Sequence, residues 1–274
     1  MLYSLDEIAK VNFAGKKVVV ADLDGTLAES KTEVDSEMAG LIARLLESRS
    51  LAVISGAGFS QFQKQFIKNI KCDGKLLQRL YIFPTNAMAL YIYEGASWKE
   101  AYAEVLNEEE KKKIFAALDI ALEAAGYEDA KNAYGEIIED RKSQVTFSGL
   151  GQNAPLNLKE KWDPDASKRI RIKRLLDPLL PEFEVRIGGT TSIDITRKGI
   201  DKAYGIGKIK EYLKVATSDI IYFGDALFAG GNDYPVIGTG VDCIEVNGVE
   251  DTKRVFRYIL EKYPKPQNYA VGNQ

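Results

Sequence analysis

Two acidic residues stand directly after an apolar run near the start of the chain. The run Val18–Ala21 leads into Asp22 and Asp24, and Gly25 and Thr26 follow. Residues two apart in an extended segment project to the same side, so both carboxylates can face one crevice. Asp22 can attack a phosphoryl group and form an aspartyl-phosphate. Asp24 can protonate the leaving oxygen and later deprotonate the attacking water, so the pair predicts phosphoryl transfer.

The same segment predicts a metal ion and a cradle for phosphate. A hard divalent cation would neutralise the repulsion between Asp22 and Asp24, and Mg²⁺ is the cation expected with aspartate oxygens. Gly25 and Thr26 supply a tight turn with a backbone N–H and a hydroxyl for phosphate oxygens. The chain has no histidine, which excludes Ser-His-Asp catalysis, histidine-ligated zinc and histidine proton shuttling.

Two other interpretations of this segment are open. A calcium-binding loop would place acids at its first and third positions and Glu33 at its twelfth. Leu27 occupies the position where that loop requires glycine, and an apolar β run precedes the acids instead of a helix. The other alternative is an ordinary Asp-Gly surface turn. Groups at three other predicted strand or helix ends weigh against both alternatives.

These three segments carry groups that suit a phosphate or a metal ion. They are Ser55 with Gly56, Lys202 at the start of a helix, and Asp225 with Asn232 and Asp233. A hydroxyl backed by free N–H groups suits a phosphate oxygen, and a lysine can neutralise both a nucleophile and a transferring phosphate. Each segment alone is also typical of a turn or a solvated side chain. Together with Asp22 and Asp24 they predict one catalytic site.

Strands and helices alternate in the first part of the chain, and this pattern predicts a parallel α/β sheet. In such a sheet, ligands bind at the carboxyl ends of the strands, where these polar groups stand. The predicted elements are strands Val18–Ala21, Leu51–Ile54 and Leu80–Phe83 and helices Glu33–Ser48 and Ser60–Ile70. The end of the chain returns to this pattern, with helices Lys202–Leu213 and Thr252–Tyr263 and strands Ile220–Phe223, Val236–Thr239 and Cys243–Val246.

The middle of the chain has a different order of predicted elements, because its strands come in pairs with helices between them. The predicted strands are Ala89–Tyr93, Gly135–Asp140, Gln144–Ser148, Phe183–Ile187 and Ser192–Thr196. The predicted helices are Glu108–Ala125 and one that Asp163-Pro164 opens and that runs to about Leu180. This pattern predicts an antiparallel α+β domain of residues 85–197, inserted into an α/β core of residues 1–84 and 198–274.

The composition limits the partners. The chain has 274 residues, of which 45% are hydrophobic, and a formal net charge of −3, so we expect no nucleic-acid partner. Neither a membrane-length apolar segment nor a signal-peptide pattern is found, so we expect no membrane partner. Cys72 and Cys243 fit no metal or redox spacing. They predict reduced thiols in a cytoplasmic protein.

These residues resemble the four motifs of the haloacid dehalogenase (HAD) superfamily. The first is Asp22-Leu-Asp24-Gly25-Thr26, the second Ser55, the third Lys202, and the fourth Gly224-Asp225 with Asn232-Asp233. The resemblance implies a Rossmann-like core, Mg²⁺, Asp22 as nucleophile and Asp24 as acid/base. The insertion between the second and third motifs resembles the C2-type cap of subfamily IIB, which sets substrate specificity.

Within that subfamily the chain is similar to eukaryotic-type phosphomannomutases along nearly its whole length. The most specific match is Gly224-Asp-Ala-Leu-Phe-Ala-Gly-Gly-Asn-Asp-Tyr234. It resembles the family's Gly-Asp-Lys-Thr-x-x-Gly-Gly-Asn-Asp-Tyr. Further matches are Ser55-Gly-Ala-Gly-Phe-Ser60, Tyr81–Asn86, Gly135–Arg141 and Ile187–Asp194.

The cap departs from that family where a mutase must grip the second phosphate of its substrate. The resemblance implies binding residues at Arg141, Gln152, Lys159, Ser192 and Asp194. Gln152 stands where the family has arginine, and Lys159 and Lys31 also align with arginines. Arginine forks bind phosphate in two-point fashion, whereas lysine binds as a point charge and an amide carries no charge. This loss favours transfer of the phosphoryl group to water.

We therefore expect a Mg²⁺-dependent phosphatase that acts on a small phosphorylated sugar or related metabolite. The first alternative is a phosphomannomutase or phosphohexomutase that interconverts hexose 1- and 6-phosphates. The second is a non-catalytic phospho-relay protein, because receiver domains also place acids, a hydroxyl and a lysine at parallel strand ends. A homodimer formed through the cap is the expected protein partner.

Overall fold

The computed structural model describes residues 1–30, 32–128 and 133–264. It divides into two compact units. The core unit consists of Met1–Ala103 and Asp201–Gln274, and the inserted unit of Glu104–Ile200. Lys31, which aligns with an arginine of the family that the sequence resembles, lies outside the described residues.

Within the described ranges the chain forms twelve strands and eight α-helices. The strands are β1 (Leu2–Tyr3), β2 (Val18–Ala21), β3 (Ser50–Ile54), β4 (Leu80–Phe83), β5 (Ala89–Glu94), β6 (Ser97–Ala103), β7 (Ile138–Asp140), β8 (Val145–Ser148), β9 (Phe183–Gly188), β10 (Ser192–Arg197), β11 (Ile220–Gly224) and β12 (Asp242–Glu245). The helices are α1 (Ser36–Leu46), α2 (Phe59–Gln65), α3 (Gly74–Leu77), α4 (Glu108–Ala124), α5 (Leu156–Trp162), α6 (Ser167–Leu179), α7 (Lys202–Leu213) and α8 (Val249–Lys262).

The core unit is built on one eight-stranded sheet in the order β1-β12-β11-β2-β3-β4-β5-β6. The strands from β1 to β4 in this order are parallel, and β5 and β6 extend the sheet as antiparallel strands. Strand β2 lies in the middle of the parallel part and is fully buried. Val19 and Ala21 pack into one hydrophobic cluster and Val18 and Val20 into another. Two covered faces explain why this strand is a continuous apolar run rather than an alternating one.

The inserted unit is an antiparallel sheet with helices. Its strand order is β7-β8-β10-β9, and every neighbouring pair is antiparallel. Helices α4 and α6 share a hydrophobic cluster with this sheet, including Leu118, Phe147 and Ile193. The two units together confirm the predicted fold class of a Rossmann-like α/β core and an inserted α+β domain.

The boundary of the inserted unit differs from the prediction. The sequence places residues 85–103 in the insertion, whereas β5 pairs with β4 through Tyr81 and Ile92 and so belongs to the core sheet. Strand β6, which the sequence does not predict, pairs with β5 as a hairpin. The unit therefore begins at Glu104 and ends at Ile200. The apolar residues of β5 carry no signal that tells an added core strand from the first strand of a new domain.

Two of the predicted elements that differ from the structure in type or position have a clear local cause. Residues 236–239 form part of a 3₁₀ helix, Tyr234–Thr239, instead of a strand, because Pro235 opens a helical turn there. Helix α6 begins at Ser167 rather than at Pro164, since Ala166 adopts a left-handed φ of 58°. Asp163 nevertheless caps this helix, because its carboxylate accepts hydrogen bonds from the N–H groups of Lys168 and Arg169.

Across the residues that the structure describes, every helix is too short or too polar to cross a membrane.

Candidate active site

Three of the predicted groups follow neighbouring strands of the core sheet. Asp22 follows β2, Ser55 follows β3 and Asp225 follows β11, and these strands lie side by side in the order β11-β2-β3. The backbone N–H of Asp22 donates to the carbonyl of Phe223 over 3.0 Å, which fixes the end of β2 against β11. Because the strands are parallel, all three groups stand at the same edge of the sheet.

Lys202 is buried among two of the carboxylates. Its Nζ lies 2.9 Å from Oδ1 of Asp22 and also donates to Oδ1 of Asp233. Lys202 is 1% exposed, Asp22 3% and Asp233 0%. Burial raises the pKa of the Asp22 carboxyl to about 7, although the Lys202 ammonium lowers it. Burial by itself would lower the pKa of Lys202, but the two carboxylates raise it, so the lysine stays a cation.

Asp233 is held by the protein through both carboxylate oxygens. Oδ1 accepts from Lys202 and from the hydroxyl of Tyr222, and Oδ2 accepts from the N–H of Ala226 over 3.0 Å. Burial raises the pKa of Tyr222 well above its ordinary value, so the phenol stays protonated and acts as a donor. Sequence reasoning missed Tyr222. The available signal is a tyrosine in the centre of the apolar strand β11.

Asp225 approaches the turn that follows β2. The hydroxyl of Thr26 donates to Oδ1 of Asp225 over 3.5 Å, and burial raises the pKa of this carboxyl. Gly25 has a φ of 79°, and a Cβ placed there would lie 2.4 Å from Oδ2 of Asp225. Only glycine therefore satisfies both the backbone conformation and the close approach of the carboxylate.

Three of these carboxylates could hold a metal ion. One oxygen from each of Asp22, Asp225 and Asp233 lies within 4.8 Å of the other two. The three carboxylates carry three negative charges and Lys202 carries one positive charge. A divalent cation would therefore bring the net charge of the site to zero. An all-oxygen donor set of this kind suits Mg²⁺. The exposed Asn232 stands beside Asp233 in the chain.

The carboxylate of Asp24, which the sequence also predicts as a metal ligand, is not part of this acidic group. Its Oδ1 accepts a hydrogen bond of 2.8 Å from Nε2 of Gln65. Gln65 lies at the end of α2 and is 5% exposed. Sequence reasoning missed it, although a glutamine between Phe62 and Phe66 on the buried face of a helix is a visible signal.

Ser55 and Gly56 form a turn, and a hydrogen bond ties this turn to a segment with an unusual backbone conformation. Ser55 is buried, and its Oγ accepts from the N–H of Ala57 over 3.1 Å, while Gly56 is exposed. The carbonyl of Ser55 accepts from the N–H of Asn86 over 2.9 Å. Asn86 has a φ of 54°, and its two neighbours in the chain are also left-handed. Left-handed conformations in non-glycine residues persist only where surrounding bonds hold them.

In the inserted unit, three predicted binding residues gather around Glu139. The carboxylate of Glu139 accepts from Nε of Arg141 over 2.8 Å and lies 2.7 Å from its Nη2. In the amide orientation that satisfies both of its polar groups, Gln152 also donates to Glu139 over 3.0 Å. Lys159 donates to the carbonyl of Gln152 over 2.8 Å. The structure therefore places a carboxylate, which sequence reasoning did not single out, in the fork of Arg141.

The other two predicted binding residues lie on β10. Oγ of Ser192 is 3.4 Å from Oγ of Ser148 on the neighbouring strand. Oδ1 of Asp194 accepts from Gln144 over 2.7 Å and from Thr146 over 2.8 Å. Burial raises the pKa of the Asp194 carboxyl despite these donors.

A sequence model of the family described as eukaryotic phosphomannomutase matches residues 38–262 of the chain. The match runs through both units and includes Ser55, Lys202, Asp225 and Asp233. The chain belongs to the eukaryotic phosphomannomutase family. It is an enzyme of the HAD superfamily, and the family membership sets aside the phospho-relay alternative.

Individual phosphomannomutases agree with this membership. The chain is 28% identical over 254 residues to a phosphomannomutase of Encephalitozoon cuniculi, covering 90% of this chain and 94% of the relative. It is also 28% identical to the phosphomannomutase of Spinacia oleracea over 82% of this chain and 89% of the relative.

Solved structures of other proteins share the fold of this phosphomannomutase-family chain. A haloacid dehalogenase-like hydrolase from Bacteroides thetaiotaomicron has a TM-score of 0.63 at 17% identity, covering 89% of this chain and 99% of that one. An N-terminally truncated IMP-nucleotidase from Plasmodium falciparum has a TM-score of 0.63 at 17% identity, covering 93% of this chain and 73% of that one. At this identity the likeness shows the HAD fold alone.

Proposed function

We propose that the protein is a Mg²⁺-dependent phosphohexomutase that interconverts hexose 1- and 6-phosphates through an aspartyl-phosphate at Asp22. The observation that carries this proposal is the family match over residues 38–262, which spans Ser55, Lys202, Asp225, Asp233 and the inserted unit, while Asp22 and Asp24 lie before the matched range. The named phosphomannomutase relatives support it. This reverses the order in which the sequence alone ranks the mutase and the phosphatase.

The core unit performs the phosphoryl transfer in this proposal. The Asp22 carboxylate attacks one phosphorus of a hexose 1,6-bisphosphate, and the sugar oxygen leaves with a proton from Asp24, which releases a hexose monophosphate. Lys202, held 2.9 Å from Asp22, offsets the negative charge that gathers as the phosphoryl group arrives. In the second half, Asp24 takes the proton of the attacking sugar hydroxyl, and the phosphoryl group passes from Asp22 to that oxygen.

The phosphate oxygens are bound by groups at the strand ends. In this proposal Thr26 and Ser55 supply hydroxyls and the turn at Gly56 supplies a backbone N–H group, whereas the N–H of Gly25 already donates to the carbonyl of Ala28 over 2.7 Å. Asp22, Asp225 and Asp233 would hold Mg²⁺, with Asn232 as a further oxygen donor beside them. When bound, this ion would neutralise the carboxylates and polarise the phosphoryl oxygens.

The inserted unit binds the remaining phosphate and the sugar in this proposal. Arg141 and Lys159 carry the positive charge, and Gln152, Ser192 and Asp194 offer neutral or acidic hydrogen-bonding groups. A mutase needs this second site because its intermediate is a bisphosphate that must be gripped at either end. We further propose a cytoplasmic location and a homodimer formed through the inserted unit, which analytical ultracentrifugation would test.

A phosphatase is the second candidate, and one contact favours it. Glu139 occupies the fork of Arg141, and Gln152 adds no charge where the family pattern has arginine. If the second phosphate is bound more weakly, hydrolysis of the aspartyl-phosphate at Asp22 competes better with transfer of the phosphoryl group to a sugar.

The two activities are separated by supplying mannose 1-phosphate with a catalytic amount of hexose 1,6-bisphosphate. The mutase predicts that mannose 6-phosphate accumulates while free phosphate stays near the background. Release of free phosphate in step with the loss of mannose 1-phosphate would establish the phosphatase instead. Asp22→Asn should abolish either activity.

A further inference from the structure

A buried amide contacts the carboxylate of Asp24. Gln65 is 5% exposed and lies between Phe62 and Phe66, both fully buried, in a hydrophobic cluster of the core unit. A polar group in such surroundings costs free energy unless hydrogen bonds satisfy it. Nε2 of Gln65 donates to Oδ1 of Asp24 over 2.8 Å.

One further hydrogen bond fixes the orientation of this amide, and another holds the backbone of Gln65. Oε1 of Gln65 accepts from Nε2 of Gln61, one turn earlier in α2, over 3.1 Å. This donor sets the amide oxygen toward Gln61, so the amide nitrogen must face Asp24. The backbone carbonyl of Gln65 accepts from the N–H of Val34 over 2.8 Å, which ties the end of α2 to the segment before α1. The donor is therefore held in place by its helix and by its neighbours.

We propose that Gln65 is a positioning residue that orients Asp24 for proton transfer to and from the sugar oxygen. This inference rests on the proposed phosphoryl transfer at Asp22. The bond to Oδ1 fixes the rotation of the carboxyl group about its last torsion, which gives Oδ2 a set direction. Proton transfer requires donor and acceptor within hydrogen-bond reach and in line, so a rotating carboxyl group would spend less time in the reactive geometry.

A purely structural role for Gln65 predicts a different result from a positioning role. Two substrates with different leaving groups distinguish these roles. A sugar alkoxide is strongly basic and leaves only with a proton from Asp24. The 4-nitrophenolate ion is weakly basic and leaves without one. A variant that misplaces Asp24 should therefore slow the first substrate far more than the second, whereas a loosened fold should slow both alike.

The test compares Gln65→Met with Gln63→Met, which alters an exposed glutamine of the same helix. The measured quantity is kcat/KM with Mg²⁺ present, because it reports the steps up to the first departure of a leaving group. For Gln65→Met we expect a loss of about ten-fold with hexose 1,6-bisphosphate as phosphoryl donor and of less than about two-fold with 4-nitrophenyl phosphate. Gln63→Met should match the unaltered protein on both substrates.

A double variant adds a second criterion. Asp24→Asn should show the same dependence on the leaving group, and adding Gln65→Met to it should cause no further loss, because both changes act through one proton transfer. Equal losses on the two substrates, or additive losses in the double variant, would overturn the proposal. Gln65→Leu also removes the donor and adds no charge, so it tests the same contact where Gln65→Met folds poorly.

Failure of the proposed function would look different. Asp22→Asn is assayed beside the other variants on both substrates. If it stays active, the aspartyl-phosphate pathway is wrong and the role of Gln65 falls with it. If it is inactive while Gln65→Met slows both substrates equally, the pathway stands and only the role of Gln65 is refuted.

Discussion

Lys202 and Asp22 form a buried ion pair at the end of the central strand of the core sheet, with 2.9 Å between Nζ and Oδ1. The same ammonium donates to Asp233. One lysine at the start of α7 therefore pairs with two carboxylates, one directly after β2 and one in the loop after β11. The same ion pairs therefore contribute to the folding stability of the core unit and hold the proposed nucleophile, Asp22, in place.

Lys202→Met should damage both stability and activity. It leaves two buried carboxylates without their cation, and breaking a buried pair in this way costs about 3–5 kcal/mol. Urea unfolding in the presence of a chelator measures this loss of free energy. Lys75→Met, which alters an exposed lysine of the core unit, is the matched control. A loss below about 1 kcal/mol, as for surface pairs, would show that the pair does not stabilise the fold.

Gly25→Ala should weaken Mg²⁺ binding. A methyl group there would press on the carboxylate of Asp225, at 2.4 Å, and displace it. Gly230→Ala is the matched control, since Gly230 also has a positive φ but nothing lies within 4 Å of its Cβ position. Both variants should lose about 1 kcal/mol of unfolding free energy through backbone strain.

Only Gly25→Ala should also raise the Mg²⁺ concentration needed for half-maximal activity, by about ten-fold for a displaced charged ligand. An equal shift in both glycine variants would show that backbone strain, and not contact with Asp225, controls the metal.

Asp163 should make the stability of the inserted unit depend on pH. Burial alone would raise the pKa of its carboxyl, but hydrogen bonds from Arg169 and from two backbone N–H groups lower it below the ordinary value of 3.8. A carboxyl whose pKa is lower in the folded state stabilises the fold above its unfolded pKa. That contribution is lost as the pH falls through the folded pKa.

Asp163→Asn should therefore destabilise the protein by about 3 kcal/mol at neutral pH, because Arg169 keeps only carbonyl partners in a buried site. The difference from the unaltered protein should shrink below pH 3.8. Urea unfolding between neutral pH and about pH 3 measures it. A difference that stays constant over this range would contradict the assignment.

Gln152→Arg should shift the reaction further toward the mutase. An arginine there would compete with Arg141 for Glu139 and add a cation for the second phosphate. Charge-assisted hydrogen bonds are about twice as strong as neutral ones, so we expect the ratio of mannose 6-phosphate to free phosphate to rise about ten-fold. Asn153→Arg adds the same charge at the exposed neighbouring position and should leave the ratio unchanged. An equal rise in both variants would indicate a general charge effect.

The elements that the sequence predicts best are those whose signals are local. Strand β2 and helix α7 have the bounds that their apolar runs and turn residues indicate. Because parallel strands end at one edge of a sheet, these signals also bring Asp22 and Asp225 together, and Lys202 joins Asp22 from the first turn of α7.

The residues that the sequence misses are partners that only the tertiary fold supplies. Gln65 reaches Asp24 across 41 positions of the chain. Tyr222 stands in an apolar strand whose pattern gives no reason for a hydroxyl. The hairpin of β5 and β6 is missed for the same reason, since its pairing with β4 is not encoded in its own residues. Glu139 is an exception, because it stands only two residues before Arg141 and this spacing is a local signal; only its contact with Gln152 arises in the tertiary fold.

The path of the phosphoryl group through Asp22 is the most direct test of the central claim. Radiolabelled hexose 1,6-bisphosphate is mixed with the enzyme and Mg²⁺, then with unlabelled mannose 1-phosphate, and samples are quenched in acid. We predict label first on Asp22, then in the hexose phosphates, with little free phosphate. Label that never appears on Asp22, or that passes from Asp22 to free phosphate while mannose 1-phosphate is present, would contradict the mutase.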